Sequence, residues 1–196
     1  MKIDYYYSHV SPWTFMGHQR LRDLAIKYDA QIDFVPVTLA KIFPVSGGIP
    51  LGKRAPQRQA YRIWELKRWP AALGLKINIE PRHFPVDDGP SAKIAGLVKK
   101  HGGDIGGLSL GFLSAVWQEE RDITDPDTLI AITNYSGFDG QALYEESLSE
   151  AGEKVLQENT QRAIDADVYG SPFYIVDGEP FWGQDRLDLL ERKLAG

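Results

Sequence analysis

The pattern of apolar and polar residues predicts a strand, a helix and a second strand at the start of the chain. Residues 3–7 are rich in aromatic side chains, which are typical of a strand. Ser11 and Pro12 then open a helix, because serine is favoured at the cap and proline at the first helical position. Apolar residues recur at helical spacing as far as Tyr28, and residues 31–37 follow as a second strand. A parallel pair of strands joined in this way is a βαβ unit, whose crossover is almost always right-handed.

The middle of the chain has a helical character. Residues 44–56 are rich in proline and glycine and are predicted to form a loop at a boundary. After this loop, the apolar spacing predicts helices at about residues 57–73, 90–101, 108–120, from 125 onwards, 138–151 and 153–168.

The end of the chain returns to strands. Residues 173–176 and 180–182 are predicted strands, and the Asp177–Gly178 pair between them is a strong hairpin signal before a last helix at about 185–194. A βαβ unit and a ββα unit thus flank a helical block, which is how a thioredoxin fold looks when a helical domain is inserted into it. We predict an α/β, thioredoxin-like fold with an inserted all-helical domain. The thioredoxin-like domain would comprise residues 1–40 and 153–196, and the insertion residues 41–152.

Composition and charge narrow the classes of function. Forty-three per cent of the residues are hydrophobic, so a sizeable core is feasible. The formal net charge of -5 argues against a protein that coats nucleic acid, since such binding depends on Lys and Arg. No apolar stretch approaches the roughly 20 residues that span a bilayer, and the first residues lack the apolar region of a signal peptide. We therefore expect a cytoplasmic protein with no nucleic-acid or membrane partner.

The absence of cysteine excludes disulfides, thiolate metal sites and catalytic thiols. The four histidines are scattered along the chain, so no metal site is expected either. If this protein performs thiol chemistry, the sulfur has to arrive on a ligand.

Ser11 is the first candidate for chemistry. It lies between a strand end and a helix start, where free backbone N–H groups and the helix dipole favour an anion. One interpretation is that Ser11 only caps the helix. The other is that its hydroxyl donates to a bound anion such as a thiolate, and the two are compatible because one hydroxyl can accept and donate.

Two segments near the end of the chain are further candidates. Ser171–Pro172 directly precedes a strand and is either a simple helix stop or the cis-proline turn of thioredoxin folds, which presents backbone groups to an extended peptide. Asp185 either places a favourable charge at a helix start or holds the ammonium group of a γ-glutamyl moiety.

A basic segment and several aromatic residues complete the candidates. The basic residues form either a solvated surface or an anion-binding rim for a carboxylate, with Arg58 and Arg62 one helical turn apart; they are Lys53, Arg54, Arg58, Arg62, Lys67 and Arg68. Certain aromatic residues belong either to the core or to an apolar pocket; they are Trp13, Phe43, Trp64 and Phe84.

Together these motifs resemble the 2-hydroxychromene-2-carboxylate isomerase family and its relative, kappa-class glutathione transferase, both in the DsbA-like thioredoxin superfamily. The resemblance covers nearly the whole chain. Its most specific parts are residues 5–13 (Tyr-Tyr-Tyr-Ser-His-Val-Ser-Pro-Trp), residues 170–172 (Gly-Ser-Pro) and residues 181–187 (Phe-Trp-Gly-Gln-Asp-Arg-Leu).

The resemblance implies that glutathione is the cofactor and that Ser11, as the catalytic residue, hydrogen-bonds its sulfur. It also implies that Ser171 pairs with the cysteinyl backbone and that Gln184 and Asp185 hold the γ-glutamyl end. The full cofactor-binding set that it implies is Ser11, Pro12, Ser171, Pro172, Trp182, Gly183, Gln184 and Asp185. The substrate-binding set that it implies is Lys53, Arg54, Phe84, Trp13 and Phe43.

The chain departs from the family at two positions. Phe43 stands where the isomerases carry a lysine, with Lys41 expected on the opposite side of an extended chain, and Gly48 stands where the transferases use an asparagine. The resemblance thus implies retained cofactor binding and leaves the identity of the substrate open.

The function implied is a glutathione-dependent isomerase of 2-hydroxychromene-2-carboxylate-type aromatic acids. A kappa-like transferase or peroxidase uses the same thiolate and stays open, as do a non-catalytic thioredoxin-like binding module and a Ser–His hydrolase. The expected partners are a small aromatic substrate and a second copy of the chain in a homodimer.

Overall fold

One mixed sheet organises the structure. The computed structural model describes residues 1–196, and its strands are β1 (Lys2–Tyr7), β2 (Gln31–Pro36), β3 (Phe173–Val176) and β4 (Glu179–Trp182). Their order in the sheet is β2-β1-β3-β4, with β1 parallel to β2 and antiparallel to β3, and with β3 antiparallel to β4. The predicted βαβ unit and C-terminal hairpin are confirmed, and they meet along β1.

Nine helices accompany the sheet. They are α1 (Pro12–Lys27), α2 (Leu39–Ser46), α3 (Pro56–Leu73), α4 (Gly89–Lys100), α5 (Gly106–Trp117), α6 (Pro126–Tyr135), α7 (Gly140–Ser147), α8 (Glu150–Asp165) and α9 (Leu187–Ala195). Two short 3₁₀ turns lie at Leu51–Lys53 and Gln184–Arg186. The α/β, thioredoxin-like architecture with a helical insertion is thus confirmed.

The side chains of β1 alternate between the two faces of the sheet, as the period of a strand requires. Tyr5 and Tyr7 point to one face and pack in a cluster with Leu21 of α1 and Leu190 of α9. Tyr6 points to the other face and packs with residues of α2 and α8. Helices therefore cover both faces, and the end of β1 is held firmly where the chain turns into α1.

A second, larger core lies among the helices of the insertion. Phe15 and Met16 of α1 belong to this core, together with buried residues of α3, α4 and α5. Helix α1 thus packs on the sheet with one side and on the helical insertion with the other. Its first turn lies where the two parts of the molecule meet.

The predicted loop over residues 44–56 is wrong in part, because the chain forms α2 and a 3₁₀ turn there. Pro44 lies inside α2 and removes one helical hydrogen bond. Burial of Ile42 against the sheet stabilises this short helix, and Gly47 ends it at φ 74°. Lys41 is accordingly helical rather than extended, and its ammonium lies 3.9 Å from Glu153.

The remaining helices agree with the prediction in number and type, and their ends differ by a few residues. The largest shift is at α7 and α8, where Ser149 caps a new helix by accepting a hydrogen bond from the Ala151 N–H. The division of the chain into domains at residues 40 and 153 stays a prediction.

Candidate functional site

Ser11 caps α1. Its backbone is extended, and its Oγ accepts a hydrogen bond from the Thr14 N–H at 3.2 Å, while Pro12 takes the first helical position. The first turn of α1 contains no acidic residue, so the positive end of the helix dipole is not neutralised there. The cap interpretation is confirmed, and a helix N-terminus with a hydroxyl at its mouth is a setting that stabilises an anion.

The Ser171–Pro172 segment lies directly against this cap. Its peptide bond is cis, as expected for a thioredoxin fold. Ser11 Oγ donates to the Ser171 carbonyl oxygen at 3.1 Å, and Ser171 Oγ accepts from the Ser8 N–H at 2.9 Å. Thr14 Oγ1 completes the contact at 2.7 Å from Ser171 Oγ. Motifs 160 residues apart in sequence therefore form one site.

The segment from Trp182 to Asp185 lies beside the proline. The Gly183 N–H donates to the Pro172 carbonyl at 2.9 Å, and Gly183 has a φ of 103° that side chains rarely adopt. Gln184 is buried, and its side-chain oxygen already accepts from Arg20 Nη1 at 2.7 Å.

Asp185 and Trp182 keep access to solvent in this segment. The Asp185 carboxylate is partly exposed and accepts from Arg186 Nη1 at 2.7 Å. Trp182 is half exposed and packs edge-on against Tyr169, with ring centres 5.0 Å apart. The predicted cofactor-binding residues at both ends of the chain are thus neighbours, and their role toward a ligand stays a prediction.

The predicted substrate residues are less tightly grouped. Trp13 and Phe84 are partly buried and pack against the same helical core. Phe43 lies in α2, with its ring directly over Gly48. Lys53 is exposed, and Arg54 donates from Nε to the Ile49 carbonyl at 2.8 Å.

A buried carboxylic acid stands behind the site, and sequence reasoning missed it. Asp88, at the start of α4, is 3 % exposed and accepts a hydrogen bond from Ser8 Oγ. Burial raises the pKa of Asp88 to about 6, and the Ser8 hydrogen bond opposes the rise. The Ser8 carbonyl also accepts from the Ser11 N–H at 3.2 Å. Ser8 therefore connects Asp88 to the cap residue Ser11 through two hydrogen bonds. The Asp87–Asp88–Gly89 sequence indicates a helix start and gives no local signal of this burial.

Two buried histidines lie next to these residues, and their partners fix where each carries its proton. His18 Nε2 lies 2.8 Å from the Gly106 carbonyl, which can only accept, so Nε2 is protonated and Nδ1 accepts from the Tyr5 hydroxyl at 3.2 Å. Ser91 Oγ donates to the Asp88 backbone carbonyl, so it accepts from His9 Nδ1 at 2.9 Å. Burial lowers the pKa of His9 to about 3 and that of His18 to about 4, so both imidazoles are neutral at neutral pH.

We expect Asp88→Asn to stabilise the protein at pH 8 and to lose this advantage near pH 4. The pKa of this carboxyl is higher in the folded protein (about 6) than its ordinary value of 3.8, so its favourable contribution exists below pH 3.8 and is lost as the pH rises through 6. The difference in the effect on the free energy of unfolding between the two pH values should be about 2–3 kcal/mol. Urea unfolding at both pH values measures it.

The control is Asp177→Asn, an exposed turn residue with a φ of 50° that asparagine tolerates equally well. A pH-independent effect of Asp88→Asn, no larger than that of the control, would contradict the raised pKa.

Comparison with known proteins agrees with this geometry. Residues 2–195 match the family model described as DSBA-like thioredoxin domain. The chain is 26% identical over 193 residues to 2-hydroxychromene-2-carboxylate isomerase of Sphingobium xenophagum, which covers 98% of this chain and 97% of the relative. It is 25% identical over 210 residues to glutathione S-transferase kappa 1 of Homo sapiens, which covers 98% of this chain and 90% of the relative.

Solved structures show the same fold. A 2-hydroxychromene-2-carboxylate isomerase structure superimposes with a TM-score of 0.84 at 23% identity, covering 100% of this chain and 95% of the other. The cytosolic disulfide reductase DsbM of Pseudomonas aeruginosa with GSH superimposes with a TM-score of 0.67 at 14% identity, covering 100% of both chains. No helix combines the length and the apolar character needed to cross a membrane.

The expected resemblance is therefore confirmed, and the names of the relatives indicate an enzyme of the isomerase or transferase type. With nearly every residue matched, the chain belongs to the family of DSBA-like thioredoxin domains.

Proposed function

We propose that this enzyme is a glutathione-dependent isomerase of 2-hydroxychromene-2-carboxylate-type aromatic acids. The observation that carries the proposal is the Ser11 hydroxyl, which caps α1 in a chain without cysteine and touches the Ser171 carbonyl. The curated relatives named as this isomerase span almost the whole chain and support the reaction class.

The residues present fit glutathione by their chemistry. Around Ser11 the chain offers a hydroxyl donor, the N-terminus of α1 and a backbone carbonyl at Ser171, which suit a thiolate and the peptide group next to it. Asp185 offers a partly exposed carboxylate for the ammonium of the γ-glutamyl end. Since the side-chain oxygen and the backbone oxygen of Gln184 both accept from Arg20, we assign any contact of Gln184 with the tripeptide to its N–H groups.

Ser11 has to exchange one hydrogen bond to serve the sulfur. Its hydroxyl proton is directed to the Ser171 carbonyl, while its lone pair is used by the Thr14 N–H. When the Ser171 carbonyl accepts from a peptide N–H instead, the Ser11 proton is released to donate to an anion, and the cap with Thr14 is kept. Binding of the tripeptide backbone and activation of its sulfur are thereby linked through Ser171.

Glutathione held by Ser11, Ser171 and Asp185 would supply a nucleophilic sulfur, whose reversible addition to the substrate turns a double bond into a single bond that can rotate. The chain's task is to hold the sulfur ionised and oriented. A free thiol has a pKa of about 8.5, and lowering it by one to two units corresponds to about 1.4–2.7 kcal/mol. A hydroxyl donor together with a helix N-terminus is of the right size for this.

The test is a calorimetric titration with glutathione, followed by product analysis with 2-hydroxychromene-2-carboxylate. We expect binding of glutathione and of an analogue whose cysteine is replaced by 2-aminobutyrate, because the backbone contacts do not need sulfur. Only glutathione should support turnover, and its concentration should stay constant. No binding at millimolar concentration would refute the proposal.

A kappa-like transferase is the second candidate, favoured by the relatives named glutathione S-transferase kappa 1. The same product analysis separates the two, because conjugation consumes glutathione in proportion to the product. The cytoplasmic location and the homodimer expected from the sequence belong to this proposal and are tested by fractionation and by light scattering.

A further inference from the structure

The segment from Phe34 to Ile79 carries a surplus of positive charge, although the chain as a whole is acidic. It contains eight Lys and Arg residues and a single acidic residue, Glu65, in a protein of net charge -5. Glu65 is already occupied, because it accepts from Arg68 Nη1 at 2.8 Å and from Trp69 Nε1 at 3.0 Å. The four cations that are left without an acidic partner at the start of α3 and just before it are Lys53, Arg54, Arg58 and Arg62.

Arg62 differs from the other three because its guanidinium is partly buried against aromatic rings. Its central carbon lies 5.3 Å from the ring centre of Phe84 and 6.0 Å from that of Trp117. These two rings contact each other with centres 4.9 Å apart. Arg62 Nη2 is buried and has no hydrogen-bond partner.

An unpaired guanidinium nitrogen in such a place is unusual. Buried polar groups in native proteins are nearly always hydrogen-bonded, and buried charges are nearly always paired. Burial, with a contribution from Arg54, lowers the pKa of Arg62 to about 10, so the group stays charged at neutral pH. Cation–π contact with two rings offsets part of the desolvation, yet it satisfies none of the N–H donors.

The rings beside Arg62 belong to the same hydrophobic cluster as the residues that flank Ser11. Val10 and Trp13 lie one residue before and two residues after Ser11, and both pack against the helical core. Phe84 packs against the same core, and Trp117 belongs to it. The aromatic wall behind Arg62 is thus continuous, through one hydrophobic cluster, with the start of α1.

We propose that Arg62 is a substrate-binding residue that receives the carboxylate of an aromatic acid, next to the Phe84 ring that the resemblance already assigns to the substrate. The assignment rests on the proposed function, because it gives that isomerase a subsite for its acidic substrate. A planar guanidinium matches a carboxylate through two parallel hydrogen bonds, which a lysine cannot reproduce. The surrounding unpaired cations at residues 53, 54 and 58 favour the approach of an anion.

The glycine end of glutathione carries a carboxylate too. The aromatic acid is the better match for Arg62, because the unsatisfied nitrogen is backed by the Phe84 and Trp117 rings, and a peptide backbone would gain little from that apolar surface. The two sources predict different binding losses when Arg62 is changed.

The experiment measures the affinity of the full-length protein for three probes: 2-hydroxycinnamate, its neutral amide, and glutathione. The two aryl probes are titrated with and without saturating glutathione. We expect the wild type to prefer the acid over the amide. We expect Arg62→Gln to lower the affinity for the acid roughly tenfold and to leave the affinities for the amide and for glutathione unchanged. Arg62→Lys keeps the positive charge and loses the pair of parallel N–H donors. Its affinity for the acid should therefore lie between that of the wild type and that of Arg62→Gln.

Lys100→Gln is the control, since it removes an exposed charge at the end of α4, outside the basic segment, and should leave all three affinities unchanged. The proposal is overturned if Arg62→Gln lowers the affinities for acid and amide equally, or if it lowers neither. It is also overturned if Arg62→Gln lowers the affinity for glutathione instead of that for the acid. Thermal unfolding of each variant shows whether it is folded, and Arg62→Lys carries the test if Arg62→Gln is not. If glutathione fails to bind the wild type, the proposed function fails, while the preference for acid over amide still decides the role of Arg62.

Discussion

Ser11→Ala is expected to raise the pKa of enzyme-bound glutathione by about one unit and to slow turnover at pH 7 by up to about tenfold. The change removes the only hydroxyl that both caps α1 and faces the Ser171 carbonyl. Without a donor, the thiolate keeps the helix N-terminus alone as its stabilising partner. At a pH above both thiol pKa values, the two enzymes should approach each other in rate.

Ultraviolet absorbance of the thiolate, followed against pH with glutathione bound, measures this shift directly. The substitution also removes a helix cap, which costs about 1 kcal/mol of stability. Ser149→Ala is the control for that loss, because Ser149 caps α8 through the Ala151 N–H at 3.2 Å and is far along the chain from the site. Identical titration curves for wild type and Ser11→Ala would refute the role of the hydroxyl in ionising the sulfur.

The second large effect expected is a loss of stability in acid caused by His9 and His18. Both are neutral and buried, and their pKa values in the folded protein are about 3 and about 4, against the ordinary histidine value of 6.5. A histidine whose folded pKa is depressed binds its proton in the unfolded chain first. Its contribution to stability is therefore full above pH 6.5 and falls as the pH drops toward the folded value.

Between pH 7.5 and pH 4.5, each of these histidines should remove about 2–3 kcal/mol from the free energy of unfolding. His18→Gln can keep a donor toward Gly106 and an acceptor toward the Tyr5 hydroxyl, and His9→Asn can keep the donor toward Ser91. Each variant should remove the part of the acid-induced fall in the free energy of unfolding that its own histidine causes. Because Asp88 titrates in the opposite direction over this range, the quantity to compare is the difference between variant and wild type at each pH.

Urea unfolding at the two pH values gives this difference, with His101→Gln as the control at an exposed imidazole that pairs with Glu146. If His18→Gln and His9→Asn unfold with the same pH dependence as the wild type, the two buried imidazoles are not the cause of acid sensitivity.

Local sequence determined the parts of this protein that depend on neighbouring residues. Serine followed by proline and then by apolar residues at helical spacing favours a cap and a first helical turn, so the start of α1 was predictable at Ser11. The aromatic run in residues 3–7 predicted β1, and the Asp177–Gly178 turn predicted the β3–β4 hairpin, in the same way. The absence of cysteine excluded a protein thiol without any structure.

Only the tertiary structure decided which distant groups meet and which are left without partners. Pro44 argues locally against a helix, and burial of Ile42 against the sheet overrides it in α2. The Ser11 bond to Ser171 and the Ser8 bond to Asp88 join residues 160 and 80 positions apart, which no short window of sequence contains. The unpaired nitrogen of Arg62 is likewise a property of its surroundings, because burial, desolvation and lack of a partner are set by the packed fold and not by the residue type.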